Sequence, residues 1–200
     1  CMPCSDRYVM WPTIRAMAGL GRLDGRSRAS AAPARHVDVA ACVIGAGAAG
    51  LDAACRALRA GLRVLLIEQQ PRVGGMLGWR DGTVEGVAGA DWIAARHAEL
   101  QAGGATVLTR TVALATYDHG AVVAIERGID AGVSPNGERA WVVRARSVIL
   151  ATGALQRPLV FEDNDRPGVM LADAALAYLR LYGVRAGERA WHGTEVADTE

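Results

Sequence analysis

Three glycines and one acid carry the chemistry this sequence offers most plainly. Gly45, Gly47 and Gly50 stand in "CVIGAGAAG" (42–50) with only Ala46, Ala48 and Ala49 between them, and Glu68 closes the apolar run "LRVLLIE" further on. A stretch without side chains exposes its backbone N–H groups. At the start of a helix these have no acceptor inside the helix, so together with the helix dipole they attract a phosphate. Gly45 permits a tight turn, Gly47 lets a diphosphate approach the main chain, and Gly50 lets helix and strand pack closely. Glu68, roughly 20 residues beyond the first glycine, is placed to accept hydrogen bonds from the hydroxyls of an adenosine ribose, with Gln69 beside it. A carboxylate there repels a 2′-phosphate, which argues against NADP. The expectation is a site for the ADP half that FAD and NAD share.

The elements around these residues give the motif its context. "VDVAACVIG" reads as a buried strand, "AAGLDAACRALRAG" as a helix stopped by Gly61, and "LRVLLIE" as a second buried strand. Together they make a βαβ unit with parallel strands. A Gly/Pro/Arg loop follows, containing Gly74-Gly75, and then "GADWIAARHAELQAGG" as an amphipathic helix with Trp92, Ile93, Arg96 and Leu100 on one face. After the short strand "ATVLTR", the runs 112–118, 121–128 and 140–147 read as a β-meander, turning at His119-Gly120 and across a longer loop. "VILATG" (148–153) returns to a buried strand, and 171–183 forms a helix. The fold class expected is α/β, a Rossmann-like FAD/NAD(P)-binding domain with a parallel sheet and an inserted three-stranded meander. It would occupy 36–190, preceded by a linker over 1–35 with one short helix at 14–19, and followed by a polar tail, 191–200.

Composition narrows the partners. The chain has 200 residues, of which 51% are apolar, enough for one substantial core. Its 22 basic and 21 acidic residues leave a formal charge of +1, so neither nucleic acid nor an anionic membrane surface is called for. Every basic residue is arginine; without lysine, Schiff-base chemistry and a Walker-type phosphate lysine are excluded. The longest apolar stretch, 39–51, is well short of the roughly 20 residues a bilayer requires. A small-molecule partner and a cytoplasmic location are expected, with no membrane association. Opening on Cys1 instead of methionine, the chain reads as a fragment.

The other reactive residue types form no constellation. Cys42 and Cys55 fall in a strand and a helix, where buried inert thiols are usual. Cys1 and Cys4 make a C-x-x-C, but no second pair or histidine follows at zinc-ligand spacing, and no metal site is expected. His36, His97, His119 and His192 are scattered, and no catalytic residue is identified. Arg157 and Arg166 face an anion or tie a turn, while Asp163 and Asp165 read as turn chemistry.

Longer motifs carry a family resemblance. "ATGALQRPLVFEDNDRPGVMLADAALAYLRLYGV" (151–184), with Arg157-Pro158, the run from Asn164 to Met170 and the helix to Tyr182-Gly183, closely resembles the α subunit of heterotetrameric sarcosine oxidase and related amine-oxidising flavoenzyme complexes. "MWP" (10–12) and "AGLG" (18–21) resemble the segment preceding the dinucleotide domain in those subunits, so the likeness covers about residues 10–190. It implies membership of the superfamily whose members carry two dinucleotide-binding domains. In that setting Gly74-Gly75 lies toward the flavin side of the dinucleotide, and Thr152 and Gly153 lie beside it; read alone, the glycine pair is equally an ordinary loop. The resemblance further implies a smaller, β-type flavoprotein partner that oxidises a secondary amine, turning sarcosine into glycine, formaldehyde and hydrogen peroxide. It leaves this region binding FAD or NAD without being the place of amine oxidation, and inactive without the partner.

The sequence departs from the pattern in two places. Flavoproteins of this architecture place a late Gly-Asp against the ribityl chain, and this sequence has no Gly-Asp dipeptide. Beyond residue 190, "WHGTEVADTE" lacks the glycine fingerprint of a second dinucleotide domain. Two alternatives therefore stand: a pyridine nucleotide-disulfide reductase-like flavoprotein using Cys1 and Cys4, or a truncated, non-catalytic nucleotide-binding fragment.

Overall fold

The computed structural model describes residues 32–129 and 137–189, together with Met17. The C-x-x-C, the short helix read at 14–19 apart from Met17, and the polar tail lie outside the described residues. Among the described residues, eight strands and three α-helices follow one another along the chain. Strand β1 (Ala32–Ile44) leads through the glycine loop into α1 (Ala48–Arg59), and β2 (Val64–Ile67) follows. β1 begins earlier than the Val37 read from the apolar pattern. A six-stranded sheet forms in the order β5-β2-β1-β8-β7-β6, where β5 is Thr106–Leu108, β6 Thr111–Tyr117, β7 Ala121–Arg127 and β8 Glu138–Leu150. β5, β2, β1 and β8 are parallel to one another, as a βαβ succession requires, and β7 and β6 add antiparallel edges.

The meander differs from its reading in one respect. Residues 140–147 and 148–153 were expected as separate strands, yet β8 runs unbroken from Glu138 to Leu150 because neither glycine nor proline interrupts it. Its first half pairs with β7, from Arg127↔Glu138 to Ala121↔Arg144, while its opposite edge pairs with β1 along nearly the whole length. The meander therefore extends the main sheet. The turn at His119-Gly120 is a 3-10 turn (Asp118–Gly120), as tight as the sequence suggests. The loop after β2 also holds an unforeseen hairpin, β3 (Thr83–Val84) with β4 (Val87–Ala88). Glu85 and Gly86 turn it with positive φ at both positions, the backbone twist that two-residue hairpins favour.

Alternation along the strands divides the core in two. Ala41, Val43, Val64 and Leu66 face α1 and α2 (Gly89–Ala102), where they meet Leu51, Ala54, Cys55, Trp92 and Leu100. Cys42, Ile44, Leu65 and Ile67 face the other side with Val122, Trp141 and Val143. Each fully buried Leu, Ile or Val contributes about 1.5–3 kcal/mol. Across the helix pair, Arg59 donates to both carboxylate oxygens of Glu99 at 2.6 and 2.7 Å, and this guanidinium holds the Glu99 carboxyl below its usual range. The third helix, α3 (Ala172–Tyr182), opens after Leu171 and ends at Gly183, within one residue of the helix read from sequence.

Candidate functional site

The site is built where β1 ends. Ile44 hands the chain to Gly45, whose N–H donates to the Ile67 carbonyl at 2.8 Å and whose φ of 99° belongs to the left-handed region that favours glycine. A Cβ here would collide with the Ala151 carbonyl oxygen, so β8 and the loop approach as closely as main chains can. A Cβ on Gly50 would collide with the Gly45 carbonyl, which holds the first turn of α1 against the loop. Gly47 is different. Its φ and ψ of −71° and −174° suit any residue, and a Cβ there would meet nothing within 4 Å. Open space therefore lies over the bare backbone at the mouth of α1, where first-turn N–H groups lack intrahelical acceptors.

Ala46, between the two glycines, is fully buried and tied on both sides. Its N–H donates to Glu68 Oε2 at 2.8 Å, and its carbonyl accepts from Gly74 N–H at 2.7 Å. Glu68 is itself 6% exposed, and its other oxygen, Oε1, accepts from the Gln70 N–H at 2.8 Å. The acid at the end of β2 thus braces the glycine loop. Each carboxylate oxygen retains a second lone pair for a hydroxyl. Gln69, next in the chain, is exposed.

Gly74 and Gly75 join the same construction. Gly47 and Gly74 form a β-bridge, and a Cβ on Gly75 would lie 3.0 Å from the Gly47 Cα. Gly74 has φ 118°, and a Cβ there would meet Ile93 Cδ1 of α2 at 2.6 Å. The second glycine pair is therefore packed directly behind the first loop, and it opens the 3-10 turn Gly75–Gly78. Thr152 Cα stands 3.2 Å from where a Gly45 Cβ would be, and Gly153 follows, exposed. Gly45, Ala46, Gly47, Ala48, Gly50, Glu68, Gly74, Gly75 and Thr152 thus gather at the carboxyl ends of the parallel strands, the end where open α/β sheets bind ligands. Ala49 lies exposed on the first turn of α1.

Residues 38–119 match the protein family described as FAD dependent oxidoreductase. The sarcosine oxidase α subunit of Corynebacterium sp. (strain P-1) is 46% identical over 182 residues, covering 86% of this chain and 19% of that protein. That of Rhizobium meliloti (strain 1021) is 41% identical, covering 88% of this chain and 18% of the relative. The chain is homologous to these sarcosine oxidase α subunits. It spans about a fifth of their length. Among solved structures, L-proline dehydrogenase from P. horikoshii superimposes with a TM-score of 0.65 at 28% identity, over 78% of this chain and 31% of that one. The chain is thus similar to one part of those α subunits and shares a fold with that dehydrogenase.

The other reactive side chains described stay apart from the loop. Among the described residues no group of three or more His, Cys, Asp or Glu is arranged to hold a metal ion. Cys42 and Cys55 are fully buried; burial pushes the Cys42 thiol up to about 11 and raises that of Cys55. Arg166 pairs with Asp163 at 2.6 Å inside a turn, in keeping with turn chemistry. An open groove of about 790 Å³, lined by Arg63, His119, Arg144 and Arg146, lies toward the strands' amino ends, away from the glycine loop. Among the described residues no helix is long and apolar enough to cross a membrane.

Sequence reasoning missed the double tie on Ala46 and the packing of Gly74 behind Gly47. It also missed two long-range ion pairs, Arg80 with Asp173 and Asp81 with Arg180. The signal was present: adjacent opposite charges at 80 and 81, and opposite charges seven residues apart, on one face of a helix, at 173 and 180.

Proposed function

We propose that this chain holds the ADP half of FAD or NAD, with the diphosphate over Gly47 at the mouth of α1. The observation carrying this reading is the open space above the Gly47 backbone, between two glycines whose own surroundings leave no room for a side chain. Gly45, Ala46, Gly47, Ala48, Ala49 and Gly50 would line the diphosphate. Glu68, with Gln69 beside it, would receive the ribose hydroxyls, and Gly74, Gly75, Thr152 and Gly153 would border the remainder. The family match over 38–119 supports FAD; NAD presents the same half to the same residues. When bound, either group supplies a two-electron carrier, and the residues named here bind and orient it.

At the level of the working enzyme, our reading is a cytoplasmic, hetero-oligomeric oxidoreductase that oxidises a secondary amine; the names of the relatives, sarcosine oxidase α subunits, make sarcosine the first substrate to try. Amine oxidation would take place on a smaller, β-type flavoprotein subunit, and this chain alone would not oxidise sarcosine. The division proposed is a linker over 1–31, the nucleotide domain over 32–190 and a tail over 191–200, the boundary read at 35 from sequence falling inside β1. Titrating the purified chain with FAD, NAD, NADP and ADP, and recording the visible absorption of fresh protein, tests the reading. Binding of FAD or NAD, with NADP markedly weaker, is expected. Absence of binding by FAD, NAD and ADP alike would refute it.

A further inference from the structure

The segment after β8 is attached to the domain in an unusual way. Residues 152–170 are exposed throughout except for half-buried Asn164, and Leu155 and Val160 are 96% and 93% exposed. Their ties are internal ones: Asn164 Nδ2 to the Leu159 carbonyl, Arg166 to Asp163, and three backbone turn bonds. α3 beyond them has no buried residue. Leu171 and the residues from Asp173 to Ala177 are half-buried, and the ion pairs that join the helix to the rest of the domain are Arg80–Asp173 and Asp81–Arg180. Asp173 and Arg180 are two turns apart on one helical face, and each finds the opposite charge on one of two adjacent residues.

Both ends of this segment start from the nucleotide loop. Ala151 is packed against Gly45 at one end. At the other, Arg80 and Asp81 follow the Gly75–Gly78 turn, whose first residue backs onto Gly47. The chain from Gly45 through Ala151, residues 152–171, α3, Arg80-Asp81 and Gly75 back to Gly47 thus closes a ring of contacts that includes both Gly45 and Gly47. We propose that residues 152–171 are a strap over the mouth of α1, and that the two ion pairs are the clamp that positions it and sets how fast a dinucleotide enters and leaves. The inference rests on the dinucleotide reading above. A segment that buries almost nothing opens at little cost, so the clamp dominates its equilibrium. Exposed pairs of this kind are screened by salt, so opening is expected to be salt-dependent.

The test uses the full chain and FAD as the probe, with dissociation followed by the recovery of flavin fluorescence after dilution into excess ADP. Asp81 and Arg180 are both on the surface, so their exchange leaves the core intact. Asp81→Arg and Arg180→Asp singly should each speed FAD release by about two- to fivefold at low salt, the range expected for an exposed pair. The double exchange, which restores opposite charges, should return the rate toward that of the parent. Half-molar sodium chloride should speed release from the parent more than from either single variant, which keeps only the Arg80–Asp173 pair for salt to screen. Release rates unchanged in both single variants, or a double exchange as fast as the singles, would overturn the clamp while leaving FAD affinity intact. If the parent binds neither FAD nor ADP, the underlying reading fails, and the strap with it.

Discussion

Gly47 and Gly50 have the same side chain and opposite surroundings, so substitutions at the two separate binding from folding. The Cβ of a valine at 47 would meet nothing within 4 Å, on a backbone that tolerates it, yet the side chain takes up space over the α1 N-terminus. Gly47→Val is therefore expected to keep the thermal midpoint of the free chain within a degree or two while weakening FAD or ADP binding by about tenfold or more, or about 1.4 kcal/mol and upward, read by calorimetric titration. Glu68→Ala removes the acceptor of two backbone N–H groups, at Ala46 and Gln70. Leaving the buried Ala46 donor without a partner costs about 1–3 kcal/mol, so this variant should lose both stability and affinity. The Cys42 thiol offers a pH signature. Burial raises it from 9.0 to about 11, so the unfolded chain releases its proton first. The stability it contributes is complete below 9.0 and is lost as pH rises through about 11, by up to about 3 kcal/mol. Denaturation of Cys42→Ala and parent across that alkaline range should show the parent falling more steeply.

Strand, loop and helix are the scale at which the sequence was most readable, and the reason is physical. Buried parallel strands demand continuous apolar residues, and close main-chain contacts demand glycine, so "CVIGAGAAG", Glu68 and the helix ended by Gly61 appear in the structure as expected. Residues on α2 follow their periodicity too, with Trp92 and Leu100 buried. What the residue string did not show was pairing between distant segments. Nothing local in "PRVGGML" says that Gly74 will bridge to Gly47 or press on Ile93, because that contact depends on where α2 returns. The fusion of two expected strands into β8 has a similar origin: one edge follows β7 and the other follows β1, and a strand shared by both reads as two patterns. At this scale the close packing makes a definite claim. A methyl group at Gly50 collides with the Gly45 carbonyl, so Gly50→Ala must push α1 away from the loop. Overpacking of this kind costs about 1–3 kcal/mol, and chemical denaturation should show a lower midpoint together with weaker nucleotide binding, in contrast to Gly47→Val.

For the molecule as a whole, the distribution of apolar surface separates a finished half from an open one. In the sheet with α1 and α2, Val43, Leu51, Leu65, Leu66, Leu100, Val122 and Val143 are fully buried, whereas Leu155, Val160, Phe161, Tyr178, Leu179, Leu181 and Tyr182 on the strap and α3 are all more than half exposed or close to it. Scattered apolar residues on a surface are ordinary, but a run of them along one arm marks a place of association. The relatives carry about five times as much polypeptide, for this chain covers 19% of one and 18% of another. Alone in solution, the 21.0 kDa chain has only other copies of itself to cover that arm. Sedimentation velocity at tens of micromolar is therefore expected to give an average mass above 21.0 kDa that rises with concentration. Leu179→Gln with Tyr182→Gln removes two large apolar groups from α3 without touching Asp173 or Arg180. This pair should bring the mass toward that of the single chain and leave FAD affinity unchanged, since neither side chain belongs to the glycine loop. A concentration-independent monomer in the parent would show that the arm is closed by its own chain, whereas loss of FAD affinity in the variant would place α3 inside the nucleotide site itself.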